Sequence, residues 1–304
     1  MKKILLLVFL FFCMGILVNS MTRVAIIYSV GGLGDGGYND LAHDGLNKAK
    51  KSLGIDFDYY EPVSPALEAE EQLIFFSESK NYDLIMVVGF SLKRSLEKVA
   101  GKYPNQKYAV IDEIVPDAAN ITSIIFNEKE ESFLAGAVAA LMTETDKVGF
   151  IGGAESPLII KYESGFEQGV KYVKPDAEVL VSYIEGYNAF NDPEKAEQIT
   201  EKFIRENADI FYHASGASGK GIANSAKKHG KYVIEVDSYS DWKDENVVIA
   251  SAVKNIDVAV YDIVKKLTNK TLESKTYVYG VKENGVGIIT GRGDKISMEK
   301  IARI

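Results

Sequence analysis

Cysteine is almost missing from this chain: Cys13 is the only one in 304 residues. If the chain is cut after Ser20, the mature protein has no thiol, so neither a disulfide nor thiol chemistry is open to it. Histidine is scarce too. His43, His213 and His229 are the whole set, and nothing in their positions arranges a Ser–His–acid combination, so Ser215 and Ser218 read poorly as nucleophiles. No His/Cys/Asp/Glu spacing suggests a metal site, and no cofactor is expected. Basic charge is in deficit. Without Lys2 and Lys3 the chain carries 33 basic against 43 acidic residues, a net charge of −10. A surface of that sign repels phosphate backbones and anionic membranes, which argues against nucleic acid as a partner. There is no low-complexity tract, no like-charge block and no short-period repeat.

One long apolar run is present, at the very start. Met1-Lys2-Lys3 is followed by the uncharged stretch Ile4 to Val18, then by Asn19-Ser20, with Val18 and Ser20 as the small residues a signal peptidase requires. That layout is a secretory signal over residues 1–20, and the run is short for a membrane span. The competing reading is an uncleaved anchor. Leu10-Phe11-Phe12 stand where small residues precede a lipidated cysteine, so a lipid anchor at Cys13 is poorly supported.

From Met21 onward the pattern alternates strand and helix. Apolar, β-rich runs occur at Arg23–Ser29, Ile55–Tyr60, Asp83–Val88, Lys107–Ile111 and Ile121–Phe126. A second series follows at Lys147–Ile151, Glu178–Ile184, Asp209–His213, Tyr232–Val236 and Val247–Val253. Amphipathic stretches such as Asp40–Leu53, Ala66–Ser79, Ser132–Thr143, Pro193–Asn207 and Val258–Leu267 lie between them. Near-continuous apolar strands alternating with helices predict α/β architecture, with parallel sheets covered on both faces. Two series predict two doubly wound lobes. No flexible linker separates them, and Asn127-Glu128-Lys129 passes without a break, which suits a hinge better than a tether. In such sheets ligands bind beyond the carboxyl ends of the strands.

Several residues fall at those ends. Gly32-x-Gly34-x-x-Gly37 formally matches a dinucleotide fingerprint, with Glu61 closing the second strand. Against that reading, Asp35 would sit among the amides meant for a pyrophosphate. The loop is also long and presents an aromatic, Tyr38. Asp112 and Asp237 each end a strand; such a carboxylate either caps the next helix or accepts ligand N–H and O–H groups. Two in equivalent places favour a site. Lys254 ends another strand, where an isolated lysine is usually solvated. Asp192-Pro193 reads as a helix start, whereas Phe190 just before it has no such structural reason and could stack on a ligand ring. His213-Ala214-Ser215-Gly216-Ala217-Ser218-Gly219 is a small-residue turn suited to close backbone approach.

Taken in order, these segments resemble the basic membrane protein family, which includes the purine-nucleoside receptor lipoproteins, solute-binding components of ABC transporters. Tyr38-Asn39-Asp40-Leu41-Ala42-His43-Asp44-Gly45-Leu46 resembles that family's phenylalanine–asparagine helix start. Phe133-Leu134-Ala135-Gly136, Val148 to Gly153, Gly165 to Val173, and Phe190-Asn191-Asp192-Pro193 match further motifs. So do His213-Ala214-Ser215-Gly216, Val236-Asp237-Ser238 and Ser251-Ala252-Val253-Lys254. The resemblance runs from about Arg23 to about Gly287. Tyrosine replaces the usual phenylalanine at position 38, His43 stands where tryptophan or tyrosine is common, and the lipobox is degenerate.

The resemblance implies a type I periplasmic-binding fold with three crossings between lobes. Residues 21–126 plus about 255–281 would form the N-terminal lobe, and 127–254 plus about 282–304 the C-terminal lobe. It implies a monomer outside the cytoplasm, in the periplasm or at the outer membrane face, without catalysis, that passes a nucleoside to ABC permease subunits. Tyr38 and Phe190 would sandwich the base, and Asp112 would bind its edge with Asn39 or Asp40 nearby. Asp237 and Lys254 would hold the ribose, with Gly216 lending backbone. With no arginine cluster for phosphate, a nucleoside is favoured over a nucleotide. Alternatives are a receptor for a sugar or another small ligand, a ligand sensor, or an exported nucleoside hydrolase or dehydrogenase.

Overall fold

The strand β1 (Arg23–Ile27) shows how the first lobe is built. Val24 and Ile26 face one side and Ala25 and Ile27 the other, as the two-residue period of a strand requires, and all four are fully buried. A strand buried on both faces needs helices on both faces. In the computed structural model, which describes residues 21–29, 32–35, 37–236 and 247–290, it has them. Helices α1 (Tyr38–Leu53) and α8 (Ile256–Thr268) cover the face of Val24 and Ile26, while α2 (Pro65–Ser79) and α3 (Lys93–Lys102) cover the other. The remaining strands of this sheet are β2 (Asp56–Tyr60), β3 (Leu84–Val88), β4 (Tyr108–Ile111), β5 (Ile121–Phe126) and β11 (Thr276–Tyr279). They lie in the order β11-β5-β4-β3-β1-β2, all parallel.

The second sheet repeats the plan with β6 (Lys147–Gly152), β7 (Glu178–Tyr183), β8 (Ile210–Ala214), β9 (Tyr232–Val236), β10 (Val248–Lys254) and β12 (Val286–Thr290), in the order β12-β10-β9-β8-β6-β7. Helices α4 (Glu128–Met142) and α5 (Pro157–Val173) pack on one face, α6 (Pro193–Arg205) and α7 (Gly219–Lys228) on the other. The two doubly wound parallel lobes expected from the sequence are present, with one exception: edge strand β12 runs antiparallel to β10. It follows β11 after a connection too short for a covering helix, so the chain returns in the opposite sense.

Two of the family-like motifs turn out to be packing devices. A Cβ on Gly136 would lie 2.0 Å from Phe166 O, and one on Gly169 would lie 2.0 Å from Phe133 O. Helices α4 and α5 therefore touch backbone to backbone, which only glycine at those positions permits.

Within the described residues the chain passes between the sheets at Asn127, at Asn255 and through 280–285. These passages are laced together: Asn127 N–H donates to Tyr279 O (3.1 Å), Asn255 N–H to Gly285 O (2.8 Å), and Val281 N–H to Glu130 Oε2 (2.7 Å). The segment 1–20 expected to be a secretory signal, with Cys13, and Asp237 with Ser238 lie outside the described residues. No described helix is long and apolar enough to cross a membrane.

Candidate functional site

The carboxyl ends of both sheets face a shared cavity of about 580 Å³. Tyr38 and Asp112 line it from the first lobe, and Phe190, Gly216 and Lys254 from the second. A larger hollow of about 790 Å³ lies at the other end of the first lobe, among Met21, Tyr82, Asp83 and Lys107, beside the starts of β1, β3 and β4. Ligands of open α/β sheets collect where strands end and helices begin, so the smaller, shared cavity is the candidate.

The glycine-rich loop after β1 is organised by its own carboxylates. Asp35 accepts from the N–H groups of Gly37 (2.9 Å), Asn39 (2.8 Å) and Asp40 (3.3 Å), taking the first amides of α1. Leu33 N–H donates to Glu61 Oε2 and Gly34 N–H to Asp40 Oδ1, both at 2.8 Å. A pyrophosphate would have to displace all three carboxylates against its own negative charge, which counts against a dinucleotide site. Asn39 is buried and committed: its Oδ1 accepts from Ser29 N–H (2.9 Å) and its Nδ2 donates to Asp35 (3.0 Å). Asn39 and Asp40 thus fasten the helix start and do not line the cavity; Tyr38, held between them and the loop, does. Its ring lies over Gly89, where a Cβ would stand 3.6 Å away.

Asp112 follows β4 with φ of 65°, a left-handed conformation that aspartate tolerates better than most residues. Its N–H donates to Ile124 O (2.7 Å), which continues the strand pairing and directs the carboxylate outward. Lys254 ends β10 and is only 3% exposed. Its Nζ reaches Asp112 at 3.2 and 2.9 Å, stands 3.9 Å from Glu128 Oε1, and lies 5.4 Å from the centre of the Phe126 ring. The expectation gave Asp112 to a base and Lys254 to a ribose. The structure brings them together as an ion pair joining the lobes.

Phe190 is 45% exposed, and its ring lies on Gly153, where a Cβ would come within 2.4 Å of a ring carbon. The turn that presents it is tied down. Asp192 Oδ1 caps α6 by accepting from Lys195 N–H (3.0 Å), while Ser218 Oγ accepts from Asp192 N–H (2.8 Å) and donates to Ala189 O (3.0 Å). Gly216, with φ of 54°, faces the Phe190 backbone. Gly153 and Ser218 therefore position the ring. Sequence reasoning passed over both as positioning groups, although each lay within a segment already singled out.

One expectation is corrected. A Ser–His–acid arrangement does exist: His213 Nε2 lies 3.1 Å from Glu235 Oε2, and Ser215 Oγ lies 3.2 Å from His213 Nδ1. Glu235 is far from the histidine in sequence and reaches it only because β9 pairs with β8. All three residues border the cavity. Ser215 is fully buried, so it orients the ring and is not presented as a nucleophile. Among the described residues no His/Cys/Asp/Glu group is placed to hold a metal ion.

Residues 21–302 match the family model described as "ABC transporter substrate-binding protein PnrA-like". The chain belongs to this family. The basic membrane protein family member is 32% identical over 301 residues to the CD4+ T-cell-stimulating antigen of Listeria monocytogenes, covering 92% of this chain and 83% of that protein. It is 30% identical to the ABC transporter nucleoside-binding protein BmpA of Lactococcus lactis, covering 89% and 82%. Among solved structures it resembles an ABC transporter solute-binding protein from Aeropyrum pernix, with TM-score 0.73, 31% identity, and coverage of 88% and 76%. As a substrate-binding protein of this family, the chain works outside the cytoplasm with a small-molecule ligand and a permease, and its family is one of receptors, not enzymes.

Proposed function

We propose that this receptor binds a nucleoside in the cavity between its lobes and delivers it to the permease of an ABC transporter. One observation carries the reading: Tyr38 from one lobe and Phe190 from the other line a single cavity that also contains the Asp112–Lys254 pair. Two aromatic faces suit a flat base, whereas paired carboxylate and ammonium groups suit neutral N–H and O–H groups. The named function of the Lactococcus relative supports the same ligand class. In this proposal Tyr38 and Phe190 hold the base, Asp112 accepts from its edge, Lys254 and Asp237 bind the ribose hydroxyls, and Gly216 lends backbone. The lobes divide as 21–126 with about 255–281, and 127–254 with about 282–304.

The test is to denature the purified protein and identify released ligand by mass spectrometry, followed by calorimetric titration with nucleosides and free bases. Asp237→Ala and Lys254→Ala should weaken nucleoside binding by roughly ten- to over a hundredfold, the worth of a hydrogen bond to a charged group. The free base should be almost indifferent to Asp237→Ala, whereas Lys254→Ala strands the Asp112 carboxylate that meets the base edge and should weaken the free base as well. A wild-type protein that binds sugars and no nucleoside keeps the receptor assignment and ends the nucleoside one.

A further inference from the structure

The nucleoside reading leaves one buried polar chain in the second lobe unused. His213, Glu235 and Ser215 are exposed by only 2, 3 and 0%. A single tautomer of His213 serves both of its contacts, with Nε2–H donating to Glu235 Oε2 and Nδ1 accepting from the Ser215 hydroxyl. The ring cannot swing away, because the first residue of α7 presses on it: a Cβ on Gly219 would fall 2.3 Å from His213 Cε1. One carboxylate oxygen of Glu235 is thereby pinned. The other, Oε1, is shut off from solvent and has no donor among the described residues. A buried acceptor without a donor is costly, so Oε1 calls for a donor that the described residues do not supply. Glu235 borders the same cavity as Tyr38 and Phe190.

We infer that Glu235 Oε1 is a specificity-determining acceptor that reads an N–H donor on the ligand's base edge, with His213 and Ser215 as the positioning residues that aim it. This rests on the nucleoside reading above and narrows it to nucleosides whose base carries such a donor. The sheet order supports the base over the sugar. Strand β9 lies between β10, which ends at Lys254, and β8, which leads to Gly216 and the backbone of Phe190. Glu235 thus sits between the charged pair and the stacking ring. A fixed carboxylate oxygen attracts an N–H and repels a ring-nitrogen lone pair, and it opposes a phosphate. Inosine's one base N–H, at N1, is shared by this oxygen and Asp112, whereas purine riboside, whose base edge has only acceptors, satisfies neither, so the change of the ratio in Glu235→Gln is what assigns the contact to Glu235.

The experiment is calorimetric titration of wild type, Glu235→Gln and Ser215→Ala with inosine and purine riboside, with thermal melting to confirm folding. Wild type should prefer inosine by roughly tenfold or more, the scale of one hydrogen bond to a charged group. In Glu235→Gln the amide oxygen faces His213 Nε2–H, which turns the amide N–H toward the ligand. The preference should fall at least tenfold or reverse. Ser215→Ala, which removes the hydrogen bond that holds Nδ1 as acceptor and Nε2–H toward Glu235, should lower the same ratio several-fold while purine riboside affinity stays put; a purely structural serine would shift both ligands together. If Glu235→Gln does not fold, Glu235→Asp withdraws the carboxylate by one methylene and should lose the preference in the same way. A folded variant with an unchanged ratio, or with equal losses for both ligands, overturns the inference and leaves the nucleoside reading standing. If the variant instead changes discrimination between inosine and 2′-deoxyinosine, Oε1 faces the sugar and the base-edge assignment fails. A wild type that binds neither nucleoside removes the nucleoside reading itself, and this inference with it.

Discussion

Asp112 and Lys254 end strands of different sheets, yet their charged groups lie 2.9 Å apart and join the lobes. Both side chains are largely buried, 17% and 4% exposed. Removing one partner of such a pair strands the other, at a cost of about 3–5 kcal/mol, whereas removing both is far milder. Thermal unfolding of Asp112→Ala, Lys254→Met and the double variant should therefore show a double variant less destabilised than the sum of the singles, with a coupling of about 1–3 kcal/mol. Simple additivity would mean that the pair is incidental.

Gly153 touches no proposed ligand group, but its missing side chain gives the Phe190 ring a seat. Phe190→Ala should weaken nucleoside and free base alike by roughly ten- to a hundredfold, since stacking on an aromatic is worth about 1–3 kcal/mol per base. Gly153→Ala should weaken both in the same direction by displacing the ring. Calorimetry on both variants decides the matter; full affinity in Gly153→Ala would show that the ring's seat does not matter for binding.

The two lobes are joined by passages hydrogen-bonded to one another, Asn127 to Tyr279 and Asn255 to Gly285, and such a narrow connection is expected to act as a hinge. A ligand touching both sides of the cavity should draw them together. Small-angle scattering should record a smaller radius of gyration at saturating nucleoside, and identical curves with and without ligand would count against hinge closure.

Burial pushes the phenols of Tyr28, Tyr183 and Tyr279 upward and raises Tyr82 to about 12, with Asp58, Glu163 and Asp262 acting the same way beside Tyr82, Tyr183 and Tyr279. The folded state thus holds these protons more tightly than the unfolded chain, where tyrosine titrates near 10.0. Their contribution to stability is complete below that pH and is lost as pH rises from there through the folded values. Melting temperature should hold steady up to about pH 9.5 and then fall, with a subset of tyrosines showing no phenolate absorbance until the chain unfolds. A folded protein in which every tyrosine ionises together near 10 would contradict this.

The strand and helix pattern was legible in the sequence because burial on both faces demands uninterrupted apolar runs, as in β3 and β10. The helix start at Asp192-Pro193 was equally plain, since a local cap needs only neighbours in the chain. Strands β11 and β12 escaped notice. They are short and lie at the sheet edges, with Thr276, Val278 and Ile289 exposed, so only pairing with β5 and β10 defines them.

Tyr38, Asp112, Phe190, Gly216 and Lys254 could each be placed at a strand or helix end from sequence alone, and topology then gathers all such ends at one cavity. Which neighbours each side chain meets there was decided by tertiary structure. Asn39 and Asp40 turn inward because Asp35 and the Gly34 amide claim them. Lys254 meets Asp112 because two separate sheets face each other, and His213 meets Glu235 because β8 pairs with β9. Local spacing encodes period and capping, which act over a few residues. Contacts between residues 22 or 142 positions apart depend on strand order and lobe packing, which no short stretch of sequence contains.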